Sequence, residues 1–569
     1  MEYKSETKIC QNCKKDFVIE SEDFNFYEKI KVPPPTFCSE CRLQRRFVFR
    51  NERTLYKRVC DGGGKNVISV YSLDKPFKVY ERDYYWSDGW DALSYGKDYD
   101  FSKNLFVQLK ELQEKVPRIN LNANFVHNSD YCNYVGDVKN SYLCFGSIAI
   151  EDCMYGSPYE SKNCVDTHLA RECEYCYECI DCEKMSRSIF CQECSNSLDL
   201  IYSFDCKNCQ DCIGCVGLRG QKYHIFNKAY SKEEYLSEKN SLKVNTIKGL
   251  EEIKKEFLKL KKTIPHKFAI ELQSKNVSGN NIIQSKNTHE CFDVKKCEDE
   301  KFCSRMIDGR NVYDADFCEF MELVYENISF WKNTNTKITN TCGESSELSY
   351  CDFCYVCNNC FSCIGLRSKQ YCILNKQYTK GEYEELVPKI IKHMNDMPYI
   401  DAKGRIYKYG EFFPPELSPF CYNETIAQEY FPLTKEEALE QGYKWKDREE
   451  RNYTIDIKNE DIPNDIKEVD DSIINKVIEC EHQGKCNEQC TEAFKIIPDE
   501  LSFYQRMNLP IPHLCPNCRH YNRLKQRNPL KLWHRKCMKE NCTNEFETSY
   551  APDRPEIVYC ERCYNQEVY

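Results

Sequence analysis

Short apolar phrases entered by polar turns recur about every ten residues between 130 and 215, NSYLCF, EDCMY, SKNCVD and RECEYCY each reading as a brief strand. Cysteines keep the same rhythm. Cys132, Cys153, Cys173, Cys194 and Cys215 lie 20 or 21 residues apart, with a second series at Cys144, Cys164 and Cys206. The pattern predicts a β-solenoid of period about 21 with two strands per coil, its cysteines forming inward ladders. A string of metal-knotted turns is the alternative. A later tract repeats the habit more loosely, with Cys297, Cys318, Cys342 and Cys363 separated by 21, 24 and 21 residues.

Helical periodicity is confined to short segments. Leu250, Ile253, Phe257 and Leu260 form one stripe within 249–267, which predicts a packing helix with a solvated, lysine-rich face. Thr434 and Glu437 make a capping box that starts another helix. From 447 to 472, ten acids face four bases, which reads as an acidic linker.

Two self-similarities organise these elements. At an offset of 477 the chain ends match without a gap: Cys13 falls on Cys490, Tyr27 on Tyr504, Cys38 on Cys515, Cys41 on Cys518 and Cys60 on Cys537. At an offset of 148, CIGCVGLRGQKYHIFNKAYSKEEY from 212 recurs as CFSCIGLRSKQYCILNKQYTKGEY from 360. The predicted fold is mainly β with short helices, zinc-ribbon or treble-clef modules at both ends flanking two cysteine-rich, solenoid-like tracts. The divisions are an N-terminal module at 1–100, tract A at 120–235, a helical linker at 236–270 and tract B at 271–385. A mixed helical and acidic region at 386–475 and a C-terminal double module at 476–569 complete them.

Composition turns this plan towards metal chemistry. The chain has 569 residues and 40 cysteines, and its first residues, MEYKSETKICQNCKK, lack the apolar core of a secretory signal. No apolar run approaches the roughly 20 residues of a membrane span. A soluble, cytoplasmic protein is expected, in which closely spaced thiols are metal ligands before they are disulfides.

Cys10, Cys13, Cys38 and Cys41 have the paired C-x2-C spacing of a structural zinc site, which is closed to catalysis. The C-terminal copy offers Cys486 and Cys490 with Cys515 and Cys518, Cys486 being preferred while Cys480 and His482 remain possible ligands. A third site follows at Cys537, Cys542, Cys560 and Cys563. Its N-terminal counterpart keeps only Cys60: Gly63 stands for Cys542, Glu81 for Cys560 and Tyr84 for Cys563. About three structural Zn2+ ions are therefore expected, with none at Cys60 and with Tyr80, Tyr84, Tyr85, Trp86 and Trp90 packing in compensation. Three-residue cysteine runs in the tracts, such as Cys173, Cys176, Cys179 and Cys182, leave zinc, an iron–sulfur cluster or unliganded core thiols open.

A net charge of −10 excludes a uniformly basic nucleic-acid binder, but charge is segregated. Arg42, Arg45, Arg46 and Arg50, and Arg519, Arg523, Arg527 and Arg535, lie among aromatics behind the C-x2-C pairs. Guanidinium groups holding phosphates beside stacking rings point to RNA, single-stranded nucleic acid or a ribonucleoprotein as partner. The competing expectation is a protein–protein scaffold in which zinc only stabilises the fold. No nucleophile constellation or phosphate-cradling loop suggests an enzyme.

PPPTFC-x2-CR-x-QRR, CIGLR-x-KQY-C-I-x-NK, YGEFFPPELSPFCYNET and YAPDRPEIVYCERCY together resemble a family of cysteine-rich, multi-zinc-ribbon, treble-clef-like proteins of ultrasmall candidate-phyla bacteria. The resemblance covers nearly the whole chain. It implies zinc at the C-x2-C pairs, a pattern from which this sequence departs at Gly63, Glu81 and Tyr84.

Overall fold

The computed structural model describes residues 3–316, 321–328, 331–448, 451 and 453–568. Cys318 lies outside them. Both tracts are parallel β-solenoids, but the coil is shorter than the cysteine spacing predicts. Strand partners are 12 residues apart, as in Glu183 with Ser195 and Leu198 with Gln210 in tract A, and Asn358 with Gln370 in tract B. A few coils have 11, as in Met154 with Val165.

Each coil has four three-residue sides. The residue before every inward position adopts left-handed backbone: Tyr131, Tyr134, Asp137 and Asn140 turn one coil, and Glu172, Tyr175, Glu178 and Asp181 turn another. Such corners are unfavourable for residues other than glycine, asparagine and aspartate. Hydrogen bonds between coils hold them in place, Asp181 N–H donating to His168 O at 3.0 Å, for example. An interval of 21 is one coil plus three sides, so cysteines at that interval both face inward without stacking. The predicted period of 21 is thus corrected to 12, because any multiple of three satisfies the inward pattern.

A narrow four-sided lumen admits small side chains, which explains the cysteines. Cys144, Cys179, Cys182, Cys206, Cys354 and Cys363 are fully buried. Most of their thiols donate to carbonyls two residues back and nine ahead, Cys182 to Ile180 O at 3.2 Å and to Cys191 O at 3.6 Å. Cys173, Cys176, Cys179 and Cys182 mark the four sides of a single coil. Among the described residues no three of these tract A thiols stand mutually within 4.8 Å.

The 148-residue repeat is the solenoid cap. In each copy an antiparallel turn, Lys222–Ile225 with Lys228–Ala229 or Gln370–Ile373 with Lys376–Gln377, reverses the last strand. Asn227 and Asn375 bond both backbone groups of Val216 and Ile364. A helix with a capping box then closes the lumen, Lys232–Ser241 or Lys380–Asp396. The predicted linker helix is Ile247–Lys261, with Leu250, Ile253 and Phe257 buried and Leu260 partly so. The capping box at Thr434 starts the Lys435–Glu440 helix. The acidic stretch is less free than a linker, since Ile462, Ile466, Val469 and Ile473 pack into the core beside tract A.

The terminal modules cross over. The N-terminal module packs on tract B and the C-terminal module on tract A, with corresponding contacts. Tyr27 meets Tyr325 edge-on at 5.2 Å, and its copy Tyr504 meets Tyr177 at 5.6 Å, the two solenoid tyrosines differing by 148. Val79–Tyr80 pairs with Arg118–Ile119 before tract A, and Val558–Tyr559 with His266–Lys267 before tract B. The chain is therefore internally pseudo-symmetric. Among the described residues no helix is long and apolar enough to cross a membrane.

Candidate metal centres

Four units of a β-hairpin followed by a helix bring the terminal cysteines together. In the first, Glu6–Ile9 pairs with Asp16–Ile19, and Cys10 opens the turn between them, its N–H donating to Lys15 O at 2.9 Å. Lys14, with φ of 60°, tightens the turn and brings Cys13 beside Cys10. Cys38 immediately precedes the Ser39–Phe47 helix and Cys41 lies in its first turn. The Cys38 N–H donates to Cys10 Sγ at 3.3 Å, and Cys13 and Cys38 sulfurs are 3.8 Å apart. All four sulfurs lie within 4.8 Å of one another. Sulfurs around a tetrahedral Zn2+ with bonds of about 2.3 Å are separated by about 3.8 Å, so the group fits such an ion.

Cys537, Cys542, Cys560 and Cys563 form a second group on the Trp533–Lys536 and Glu545–Thr548 hairpin and the Glu561–Val568 helix. Again the first sulfur accepts from the third residue's N–H, Cys560 to Cys537 Sγ at 3.3 Å, and Cys542 lies 3.9 Å from Cys560.

The remaining tetrad corrects the expected ligand set. Cys480, Cys490, Cys515 and Cys518 are mutually close and all buried, so Cys480 takes the place expected for Cys486. Cys480 N–H donates to Glu492 O, and its sulfur accepts from Cys515 N–H at 3.2 Å, the two bonds that define Cys10. Strand Asp16–Ile19 maps onto Ala493–Phe494 at offset 477, whereas Cys10 maps onto Cys480 at 470. The turn is seven residues longer in the C-terminal copy, and a gapless alignment misplaces its first ligand. Cys486 lies 3.8 Å from Cys518 in an adjoining group with His482 and Glu488. Cys480→Ser is therefore expected to lose one ion per chain, and Cys486→Ser to retain it, by metal analysis of purified protein.

Within the tetrads some thiols are poised to ionise, and neighbouring thiols cause it. Hydrogen bonds from Cys38 and Cys41 hold the Cys10 thiol far below its ordinary value despite burial, and those from Cys480, Cys490 and Cys518 do the same for Cys515. A thiolate is the form that binds metal.

The fourth unit preserves the frame without the ligands. Cys60 N–H donates to Lys65 O at 2.8 Å and Glu81 N–H to Cys60 Sγ at 3.2 Å, matching Cys10 and Cys38. Gly63 occupies the place of Cys13, with open space around a built Cβ. The Tyr84 ring packs over Gly62 so closely that a Cβ there would collide with it. Tyr80 packs edge-on at 4.9 Å, and Tyr85, Trp86 and Trp90 extend the cluster to Phe353 and Tyr355. Combining Gly63→Cys, Glu81→Cys and Tyr84→Cys is expected to add one bound ion per chain, measured against the parent protein.

Seven of the eight arginines predicted to contact nucleic acid are instead held in ion pairs within the fold. Arg42, Arg45 and Arg46 are at most 2% exposed, and Arg519 and Arg523 likewise. Arg42 reaches Asp314 at 2.6 Å, Arg45 reaches Glu326 at 2.5 Å and Glu411 at 3.1 Å, and Arg46 reaches Asp316 at 2.5 Å. In the other copy Arg519 and Arg523 each reach Asp166 at 2.8 Å, and Arg523 reaches Glu178 at 3.1 Å. Asp166 and Glu178 are Asp314 and Glu326 shifted by 148. Arg50 is buried against Glu52, and Arg527 joins Asp181 of tract A to Asp293 of tract B. Arg535 is partly exposed and has no ion pair among the described residues, bonding the carbonyls of Tyr550 and Ala551. Burial pushes Asp316 up to about 6 and Glu178 and Glu326 up to about 7, with the arginines pulling back.

A cavity of about 510 Å³ lies between the tracts, lined by Tyr134, Glu193 and Lys207 from one and Ile283, Lys295 and Trp331 from the other. Nothing local in the sequence marks it, because its walls meet only when the tracts stack. No protein-family model matches the chain, and no curated protein matches it either.

Proposed function

We propose that the protein is a non-enzymatic, zinc-stapled scaffold for protein–protein contacts, its terminal units being treble-clef-like modules that lock two solenoids together. The observation that carries this reading is the direction of the arginines behind the C-x2-C pairs: they enter the flank of a solenoid and meet its carboxylates. Zinc suits all-thiolate tetrads, which fill the coordination shell and leave no position for a substrate. The modules thus act on the fold, and the long lateral faces of the solenoids are left for partners.

The rival, nucleic-acid contact, is tested by binding of the full chain to RNA and single-stranded DNA across a salt series. The scaffold reading expects weak binding with a shallow slope. A steep linear fall of log affinity with log salt, equivalent to several phosphate contacts, overturns it.

A further inference from the structure

The lumen of tract B holds one residue out of keeping with its surroundings. Inward positions run Cys291, Val294, Cys297, Glu300, Cys303, Met306, Gly309 and Val312, and Glu300 is 1% exposed among them. Neither of its carboxylate oxygens is in hydrogen-bond geometry with a donor: the Cys297 thiol, which interacts with it, donates to the carbonyls of Lys295 and Met306. A buried carboxylate without a donor or counter-ion is costly, and such groups are retained where something else satisfies them.

Two neighbours supply the rest of a donor set. Cys291 Sγ, Cys303 Sγ and a Glu300 oxygen lie within 4.8 Å of one another, all three residues buried. Most lumen thiols also donate to the carbonyl nine residues ahead, which for Cys291 belongs to Glu300; its thiol donates instead to His289 O at 3.2 Å, and its sulfur accepts from Cys303 N–H at 3.3 Å, which holds two of the three donors together. Gly309 is an inward residue outside the left-handed region, so its backbone does not call for glycine. A Cβ there would collide with Glu300 Oε1 and Met306 Sδ.

We propose that Cys291, Glu300 and Cys303 form a further metal site inside the solenoid, separate from the terminal tetrads, that takes a thiophilic divalent cation, Zn2+ foremost. Two thiolates exclude the hard cations Mg2+ and Ca2+, and the carboxylate favours Zn2+ over Cu(I). Binding releases the two thiol protons, and the ion supplies the partner that Glu300 lacks. The site would pin three sides of adjoining coils in the middle of the chain, far from both termini in sequence.

The test is zinc content of the full chain, purified after expression with zinc, followed by exchange with Co2+ to read thiolate-to-cobalt absorption. The parent protein is expected to carry one ion more than Glu300→Gln or Cys303→Ser, while Cys342→Ser, which removes a lumen thiol elsewhere in tract B, keeps the full complement. The near-isosteric Glu300→Gln variant decides the matter if Cys303→Ser does not fold. Equal metal content in the parent and Glu300→Gln overturns the site. Loss of the terminal ions would lower all these proteins together and leave their difference of one, so the two proposals fail separately.

Discussion

Removing metal from the intact protein with a strong chelator is expected to abolish its cooperative thermal transition and expose apolar surface at both ends. A structural zinc contributes roughly 10–16 kcal/mol of apparent binding free energy in small modules, comparable to the whole stability of a typical domain. The hairpin and helix of each unit are too short to hold themselves: Glu6–Ile9 and Asp16–Ile19 are four-residue strands, and the Ser39–Phe47 helix has nine residues. Without the ion, hydrogen bonds to neighbouring thiols hold Cys41 and Cys518 protonated beside Cys10 and Cys515, which ionise readily. The loss should spread inward, because the same helices carry the arginines that hold the solenoid flanks. Calorimetry and dye binding before and after chelation, with zinc added back, measure it. An unchanged midpoint in metal-free protein would mean that the tetrads are ordinary core thiols.

Arg46→Met is expected to lower stability by about 3–5 kcal/mol, and Arg523→Met similarly, read as a shift in the denaturant midpoint. Arg46 is fully buried between Asp314 and Asp316, and since Asp314 keeps Arg42, deletion leaves Asp316 as an uncompensated buried carboxylate rather than a vacant surface. Pairing Arg46→Met with Asp316→Asn should recover part of the loss, which separates the cost of an orphaned charge from that of lost packing. Burial opposes ionisation of these carboxylates strongly enough that the network adds little net stability over an apolar contact. Its value is in register: a guanidinium between two carboxylates fixes where each helix sits on its solenoid. A loss below about 0.5 kcal/mol, the range of an exposed pair, would refute the docking role.

The near-twofold repetition gives these predictions an internal control. Arg46 and Arg523 are copies on opposite ends of the chain, and their carboxylate partners Asp314 and Asp166 are copies in opposite tracts. Equivalent losses are expected if both termini clamp the molecule. The missing thiols at Gly63, Glu81 and Tyr84 break the symmetry, and aromatic packing from Tyr84 to Tyr355 takes over where the other units bring four thiols together.

Much of this was legible in the sequence because it is local. Cysteine pairs with two residues between them, the turn around the first pair and a helix after the second specify a tetrad's geometry within some thirty residues, and the substitutions at Gly63, Glu81 and Tyr84 identify the unit that lacks one. The offsets of 477 and 148 likewise identify which parts are copies. A solenoid was legible too, but its period was not, since a three-residue inward spacing is compatible with any coil length divisible by three. Only inter-strand hydrogen bonds, which pair residue with residue 12 later, choose among them. The ligand at Cys480 was hidden by a lengthened turn that only strand pairing reveals. The role of the arginines was decided wholly by tertiary structure: a basic run behind a metal knuckle looks alike whether it faces phosphate or carboxylate, and Asp314 is more than 260 residues from Arg42 and Arg46. Glu300 gave no signal among charged neighbours, because which side chain of a coil turns inward depends on the left-handed corners before it.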